Sequence, residues 1–225
     1  MKLLDMFKRK KKTARRSYDA GAISRLLNTW TTTSKTADEA IRDNLRNMRA
    51  RARDLSRNND YARKYLEMVK THVIGPNGIV MQSKAKQPDG RFDRIDNAVI
   101  EGAWNRWGRK ANASVHGKLS WIDIQRCAIE TVARDGEILI RKVRGADNPF
   151  GFALQLIEGD HMDEELNKDL QGGNRIKMGV EINQWEKPIN YWLLQNHPGE
   201  NTTSLFGKHY NLVPAEDIIH LFITN

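Results

Sequence analysis

The sequence has very little cysteine and no long apolar run, and both shortages limit what the protein can be. A single cysteine, Cys127, excludes an intrachain disulfide framework and a zinc site built from several cysteines, and indicates a reducing compartment. No stretch approaches the roughly 20 apolar residues that a membrane span needs, and residues 1–7 are too short and polar for a secretory signal. The sequence predicts a soluble protein, cytosolic when made, without a membrane partner.

The motifs of common catalytic and cofactor sites are also missing. Lys118 follows Gly117 but lacks the upstream glycine and the following hydroxyl residue of a phosphate-binding loop. No serine lies in Gly-x-Ser-x-Gly, the histidines are scattered without metal-ligand spacing, and His220 falls in an apolar segment typical of a satisfied buried histidine. Cys127 falls within a predicted helix, as expected of a packed thiol. We therefore predict no catalytic, cofactor-binding or metal-binding residues, and no enzyme.

One acidic cluster keeps a second hypothesis open. The run from Glu158 to Glu165 contains four further acidic or histidine side chains that could bind a metal in a phosphodiester hydrolase: Asp160, His161, Asp163 and Glu164. The run lacks the central glycine of a calcium-binding loop and has no His-x-x-x-His pair. A charged turn after a strand is the simpler interpretation, and a metal-dependent phage nuclease is the alternative.

The composition favours a protein that meets partners. The chain has 225 residues with 39% hydrophobic and 29% charged residues, and its mean hydropathy is −0.67. This apolar content is low for a self-sufficient globule, and fits a helical assembly subunit or an incomplete chain.

The positive charge is concentrated at the N-terminal side. Residues 1–70 carry 19 Lys and Arg against 8 Asp and Glu, a net +11, so the other residues carry −2 of the total +9. The densest run is predicted to contact a polyanion through its phosphates or carboxylates: Lys8, Arg9, Lys10, Lys11, Lys12, Arg15 and Arg16. A solvated tail is the competing interpretation. If this arm carried the whole function, the protein would be a basic nucleic-acid-binding module.

Helical periodicity begins after Thr36, and residues 1–36 are predicted to form a basic, disordered arm. An apolar stripe of Ile41, Leu45, Met48, Ala52 and Leu55 predicts an amphipathic helix whose arginines, Arg42, Arg46, Arg49, Arg51 and Arg53, form an exposed basic side. A second helix is predicted from a cap at residues 58–60 to Gly75-Pro76. It is apolar on most sides, which disfavours a DNA-reading helix-turn-helix.

The middle of the chain predicts a hairpin-like passage over residues 79–87 and two further helices. Trp104 and Trp107 belong to the first of these, from Phe92 to Trp107, and are predicted to join it to the preceding helix pair rather than to stack a ligand. Ser120 caps the second helix, with Asp123 reaching back to it, and Asp135-Gly136 ends it.

After Gly136 the pattern changes to short alternating runs separated by glycine and proline turns. Five strands are predicted, at residues 137–143, 152–157, 180–185, 189–194 and 218–223. The sequence thus predicts an α+β fold, with a helical N-terminal region followed by a mainly antiparallel β module and a domain boundary near residue 136.

Several blocks in this order resemble the lambda-type bacteriophage portal protein family. They are Arg51-Ala-Arg-Asp-Leu-Ser-Arg-Asn-Asn with Tyr61-Ala; Gly75-Pro-Asn-Gly-Ile79; Trp104-Asn-Arg-Trp107; Arg134-Asp-Gly-Glu137; Leu154-Gln-Leu-Ile-Glu158; Gly179-Val-Glu181 with Pro188-Ile-Asn-Tyr191; and residues 213–222. The resemblance implies a wing-like helical region at 37–118, a stem-like helix at 119–136 and a clip-like β module at 137–225. The family continues beyond the segment matched by residue 225, so the resemblance implies an N-terminal portion of such a protein.

The resemblance also implies a function. Family members form a homo-oligomeric ring of about a dozen subunits at the capsid portal vertex, through which DNA is packaged and ejected. The implied partners are other copies of the chain, the terminase large subunit, head-completion or connector proteins, the major capsid or scaffold protein, and double-stranded DNA that passes through without sequence recognition. The implied location is the virion, with assembly in the host bacterial cytoplasm.

Overall fold

The computed structural model describes residue 34 and residues 36–200 and 207–223. Its helices precede its sheets along the chain, which confirms the predicted α+β class. The α-helices of the described residues are α1 Ala37–Arg42, α2 Leu45–Asn58, α3 Asp60–Val69, α4 Arg94–Trp107, α5 Lys110–Ala113 and α6 Trp121–Asp135. A π-helical turn, Lys70–Ile74, continues α3 until Gly75, whose φ is 73°. None of the described helices is long and apolar enough to span a bilayer.

Local capping explains where the main helices begin. The Asn59 side chain accepts a hydrogen bond from the Ala62 amide at 3.0 Å and starts α3, as the sequence predicted. Ser120 and Asp123 form a reciprocal capping box at the start of α6. Gly136 ends α6 with a φ of 91°, a left-handed conformation that costs glycine least. These signals lie within a few residues of each other, so sequence alone identified them.

The predicted hairpin-like passage over residues 79–87 is paired only at its C-terminal end. There Lys86 forms an antiparallel bridge with Phe92, and the amides of Gln87 and Asp93 donate to the carbonyls of Arg91 and Ala85 at 2.8 and 2.9 Å. Side chains of α4 and α6 bind its backbone instead: Gln125 accepts from the Ile79 amide at 2.6 Å and donates to the Ile79 carbonyl at 3.0 Å. Asn97 makes the same two contacts with Ala85, at 2.7 and 3.1 Å. These side chains provide hydrogen-bond partners for backbone amides and carbonyls that a neighbouring strand would otherwise bind.

The paired tryptophans are apolar anchors, but their partners differ from the prediction. Trp107 is buried, and its indole N–H donates to the Phe152 carbonyl at 3.0 Å. Its ring centroid lies 4.9 Å from that of Trp104, 5.8 Å from that of Trp121 and 5.7 Å from that of Phe152. The tryptophans therefore join α4 to α6 and to the first sheet, rather than to the α2–α3 pair.

The strands form two sheets. They are β1 Glu137–Arg144, β2 Phe152–Glu158, β3 Lys168–Asp169, β4 Arg175–Lys177, β5 Val180–Ile182, β6 Pro188–Leu194, β7 Tyr210–Pro214 and β8 Ile218–Phe222. One sheet has the order β2-β1-β8 and the other the order β3-β4-β5-β6-β7. All ladders between these strands are antiparallel, as predicted.

Strand β1 has a hydrophobic core on each of its faces. Ile138 and Ile140 pack with Ile124 and Ala128 of α6. Leu139, which points to the opposite face, packs with Tyr191 and neighbouring side chains of the second sheet. β1 therefore connects α6 to both sheets. The predicted division at residue 136 falls at the one residue that separates α6 from β1.

Candidate functional site

Helix α2 turns Arg49 and Arg53 toward the β module. The sequence predicted an exposed basic side, but Arg49 is only 4% exposed and Arg53 is mostly covered. The prediction was wrong for these two residues, because their partners are carboxylates of the β module and of the end of α6. The other predicted arginines of this side are exposed, and the covered face of α2 includes Leu45 and Ala52 of the apolar stripe.

Arg49 is the centre of the contact between α2 and the β module. Its guanidinium forms an ion pair with Glu137 at the start of β1. It also donates to Asp160 Oδ1 at 3.3 Å and to the Asp135 carbonyl oxygen at 3.4 Å. One arginine thus binds the end of α6, the start of β1 and the turn after β2.

Asp135 is held by two other arginines. Arg53 donates to its Oδ2 from two nitrogens, at 2.8 and 3.1 Å, and Arg134 binds both of its oxygens at 2.8 and 2.9 Å. Burial alone would raise the pKa of Asp135, but the hydrogen bonds and charges of Arg134 and Arg53 outweigh burial and lower this pKa below its ordinary value. The carboxylate is therefore charged in the folded protein at neutral pH. We call Arg49, Arg53, Asp135, Glu137 and Asp160 the arginine–carboxylate junction.

The acidic run at 158–165 is used in the same way. Glu164 pairs with Arg46 of α2. Asp163 is buried and accepts from Lys208 at 2.9 Å and from the Tyr210 hydroxyl at 2.5 Å. Burial and the Asp163 carboxylate raise the pKa of Tyr210 to about 12. The run therefore binds α2 and Lys208 through ion pairs and β7 through the Tyr210 hydroxyl, which agrees with the interpretation of a structural turn.

One trio in this region has ligand atoms close enough to hold a metal ion. The side chains of Glu158, Asp160 and His197 offer atoms within 4.8 Å of one another. Asp160, however, already accepts from Arg49 at 3.3 Å and pairs with Arg53 at 2.5 Å. A cation there would compete with two guanidinium groups, so the geometry supports ion pairing better than metal binding.

His220 and Cys127 have the surroundings that the sequence predicted. His220 lies 2.7 Å from Glu137 Oε2 and 3.4 Å from the Tyr191 hydroxyl, so both of its ring nitrogens have partners. Cys127 is partly buried in α6, and burial followed by the charge of Glu130 raises the pKa of its thiol. A raised pKa reduces the thiolate fraction, so Cys127 reacts slowly as a nucleophile.

Two carboxylates of the junction, together with Asp163, predict that stability is lost in acid. The pKa values of Asp135, Asp160 and Asp163 are all lowered in the folded chain because arginine, lysine and hydroxyl partners outweigh burial. A lowered folded pKa contributes stability that is complete above the ordinary value of 3.8 and is lost as the pH falls through the folded values. We expect the melting temperature to drop steeply below about pH 4.

An Asp163→Asn variant measures the Asp163 share of this effect. It should melt at a lower temperature than the wild type at pH 6, and the difference should shrink as the pH falls below 4, because the wild-type carboxylate is then protonated. Asp169→Asn, at an exposed carboxylate of β3, is the matched control and should follow the wild-type curve. A constant difference across the pH range would contradict a contribution from this ionised carboxylate.

The outward side of the helices is apolar. Met48 and Leu55, which lie two turns apart on one face of α2, are 62% and 50% exposed, and Ile41 of α1 is 49% exposed. Tyr61 of α3 is 89% exposed. Other large apolar side chains of the helical region are exposed as well: Tyr65, Met68, Val73, Phe92, Ile95 and Val99. Apolar surface of this extent on several helices marks an interaction site.

The predicted polyanion-contacting residues lie outside the described part of the chain. They are Lys8, Arg9, Lys10, Lys11, Lys12, Arg15 and Arg16. Their role stays a prediction.

Sequence reasoning missed the arginine–carboxylate junction, because its partners are 82 to 111 residues apart along the chain. One signal for the junction was available in α2. Small residues, Ala52 and Ser56, lie beside Arg49 and Arg53, and small residues allow a helix face to pack closely against a neighbouring element.

The described residues combine exposed apolar side chains on several helices with a β module to which α2 is fixed by ion pairs. Comparison with known proteins specifies the class. Residues 24–225 match the model of the family described as phage portal protein, lambda family. The chain is 41% identical over 212 residues to a probable portal protein of Halomonas phage phiHAP-1, and 22% identical over 232 residues to the portal protein of Escherichia phage N15.

The chain belongs to the lambda family of phage portal proteins. The two alignments cover 93% and 94% of this chain, but only 41% and 42% of the relatives. The chain therefore spans about two fifths of the length of these portal proteins.

Proposed function

We propose that this chain forms part of a portal ring subunit, through which viral DNA enters the capsid during packaging and leaves it during ejection. The observation that carries the proposal is the family match over residues 24–225, together with two relatives named as portal proteins. In this role the subunit positions other molecules and performs no chemistry of its own.

The exposed helix faces support ring formation. A closed ring of identical subunits uses two different surfaces of each subunit, because each copy meets its neighbours head to tail. Apolar side chains on α2, α3 and α4 supply the kind of area that such interfaces bury: Met48, Leu55, Tyr61, Tyr65 and Val99. The arginine–carboxylate junction supports the same role, since it fixes α2 to the β module and so holds the exposed face of α2 in a constant orientation.

The remaining partners follow from the same proposal. A portal subunit at the capsid vertex meets the capsid or scaffold protein, the terminase large subunit and the head-completion proteins. We assign the last two to the β module, which corresponds to the clip-like region of the resemblance. The location would be the virion, with assembly in the host bacterial cytoplasm.

The mass of the purified chain in solution tests the proposal. We expect light scattering to give a single large species and negative-stain images of the same sample to show rings of about a dozen subunits. Measurements should span a wide range of protein concentrations, because assembly depends on mass action. A monomer at every concentration would contradict the proposal that these residues carry the ring interfaces.

A further inference from the structure

The connection between α4 and α6 is basic and free of acidic residues. Between Glu101 and Asp123 the chain has no Asp or Glu, and it has four cations: Arg106, Arg109, Lys110 and Lys118. All four side chains are exposed, and within the described residues none of them forms an ion pair. They differ in this from Arg49 and Arg53 of α2, which form ion pairs within the junction.

Two of these cations line an open cleft. Lys110 and Lys118 line a depression of about 320 Å³ together with Lys70 and Arg126, and Cys127 lies in its wall. We call this the basic cleft. Its four cations, Lys70, Lys110, Lys118 and Arg126, come from the π-helical turn, the α4–α6 connection and α6. The fold therefore brings together charges that the sequence alone does not group.

The carboxylates of the basic cleft are already occupied. Asp123 accepts from the Ser120 amide at 3.0 Å and from its hydroxyl at 2.7 Å. Hydrogen bonds from Ser120 first, and then the charges of Lys110 and Arg126, lower the pKa of Asp123. Both cations thus act electrostatically on an anion in this position.

The two remaining cations of the basic cleft have partners. Lys70 pairs with Glu130 at 3.0 Å. Arg126 donates to the carbonyl oxygens of Gly75 and Pro76 at 3.1 Å through the same nitrogen, so these contacts leave its charge without a carboxylate. The cleft is therefore lined by four cations and two carboxylates, and within the described residues Lys110, Lys118 and Arg126 form no ion pair.

We propose that the basic cleft binds the phosphate backbone of double-stranded DNA. The proposal rests on the proposed function, which brings DNA into contact with this protein. The lining favours phosphates over a protein partner, because Leu119 is its one large apolar side chain and protein interfaces need an apolar centre. Contacts made by lysine and arginine to phosphates are independent of base sequence, as a conduit for any DNA requires.

Paired lysine variants test the cleft. In Lys110→Gln/Lys118→Gln, two phosphate contacts are lost, and each contact contributes about 0.9 to the slope of log affinity against log salt. We expect this slope to fall by about 1.8 for the full chain on a short DNA duplex. Lys168→Gln/Lys187→Gln, at exposed lysines of β3 and the β5–β6 turn, makes the same charge change and should alter the slope little. Equal slopes for the two variants would overturn the proposal.

The single cysteine gives a second, local measurement. Cys127 is the only thiol of the chain and lines the basic cleft, so its alkylation rate reports on occupancy. Duplex DNA should slow this reaction several-fold in the wild type and much less in Lys110→Gln/Lys118→Gln. Polyglutamate of matched charge should not protect the thiol. Equal protection by polyglutamate would identify an acidic protein as the partner, and no protection by DNA would exclude the cleft as its site.

Light scattering on the same samples separates this inference from the proposed function. Protection of Cys127 in a chain that stays monomeric would support the cleft and contradict ring formation. Rings in which DNA neither protects Cys127 nor responds to the lysine changes would support the portal role and overturn the cleft.

Discussion

Replacing Arg49 by alanine should lower the free energy of unfolding by about 3 kcal/mol, because it removes a buried guanidinium from two partly buried carboxylates, which keep Arg53 and His220 as partners. Glu137 and Asp160 would lose a guanidinium that is only 4% exposed, and the Asp135 carbonyl would lose a donor. Chemical unfolding in urea, followed by circular dichroism at one protein concentration for every variant, measures the loss.

Arg51→Ala is the matched control for this prediction. Arg51 lies two residues away on the same helix, is exposed, and forms no ion pair within the described residues. Its replacement should change stability by less than about 0.5 kcal/mol. If the two variants were equally stable, Arg49 would not be the main contact between α2 and the β module.

The second large effect is expected on assembly. In Met48→Asp/Leu55→Asp, two carboxylates are placed on the exposed apolar face of α2, where an interface would bury them without partners. We expect the large species to be replaced by monomers in light scattering. The melting temperature of the monomeric fold should change little, because both side chains are half or more exposed in the single chain.

Asn47→Asp/Arg57→Gln makes the same change of two charges on the same helix. Asn47 and Arg57 are exposed and lie away from the Met48 face. This control should keep the mass of the wild type. If both double variants were monomeric, net charge rather than this face of α2 would govern assembly. If both assembled like the wild type, α2 would not be part of the interface.

The sequence predicted those features that depend on neighbours in the chain. The Asn59 and Ser120 caps, the Gly136 stop and the longer strands β1, β2, β6 and β8 all rest on signals within one or two turns of the residue concerned. Strands β3 and β4 were missed because they have only two and three residues, too few to show an alternation. β7 was missed because only one of its residues, Val213, is buried.

The orientation of α2 could not be predicted in the same way. Its apolar stripe predicted one inward face, but the energy of Arg49 with Glu137 and Asp160 depends on residues far along the chain. The pairing of the extended segment at 79–87 was mispredicted for a similar reason. Gln125 and Asn97, which come later in the chain, bind the backbone of this segment where a partner strand was expected. The candidate site could therefore be predicted only in part. The family of the chain was predicted from ordered blocks of sequence, whereas the arginine–carboxylate junction and the basic cleft could be identified only from the folded structure.

The short connection at Gly136 has a mechanical consequence. Since α6 ends at Asp135 and β1 begins at Glu137, no flexible loop lies between the helix and the strand. The two hydrophobic faces of β1 then hold α6 on one side and the second sheet on the other. A displacement of α6 would therefore be passed directly to β1 and, through the packed faces of β1, to both sheets.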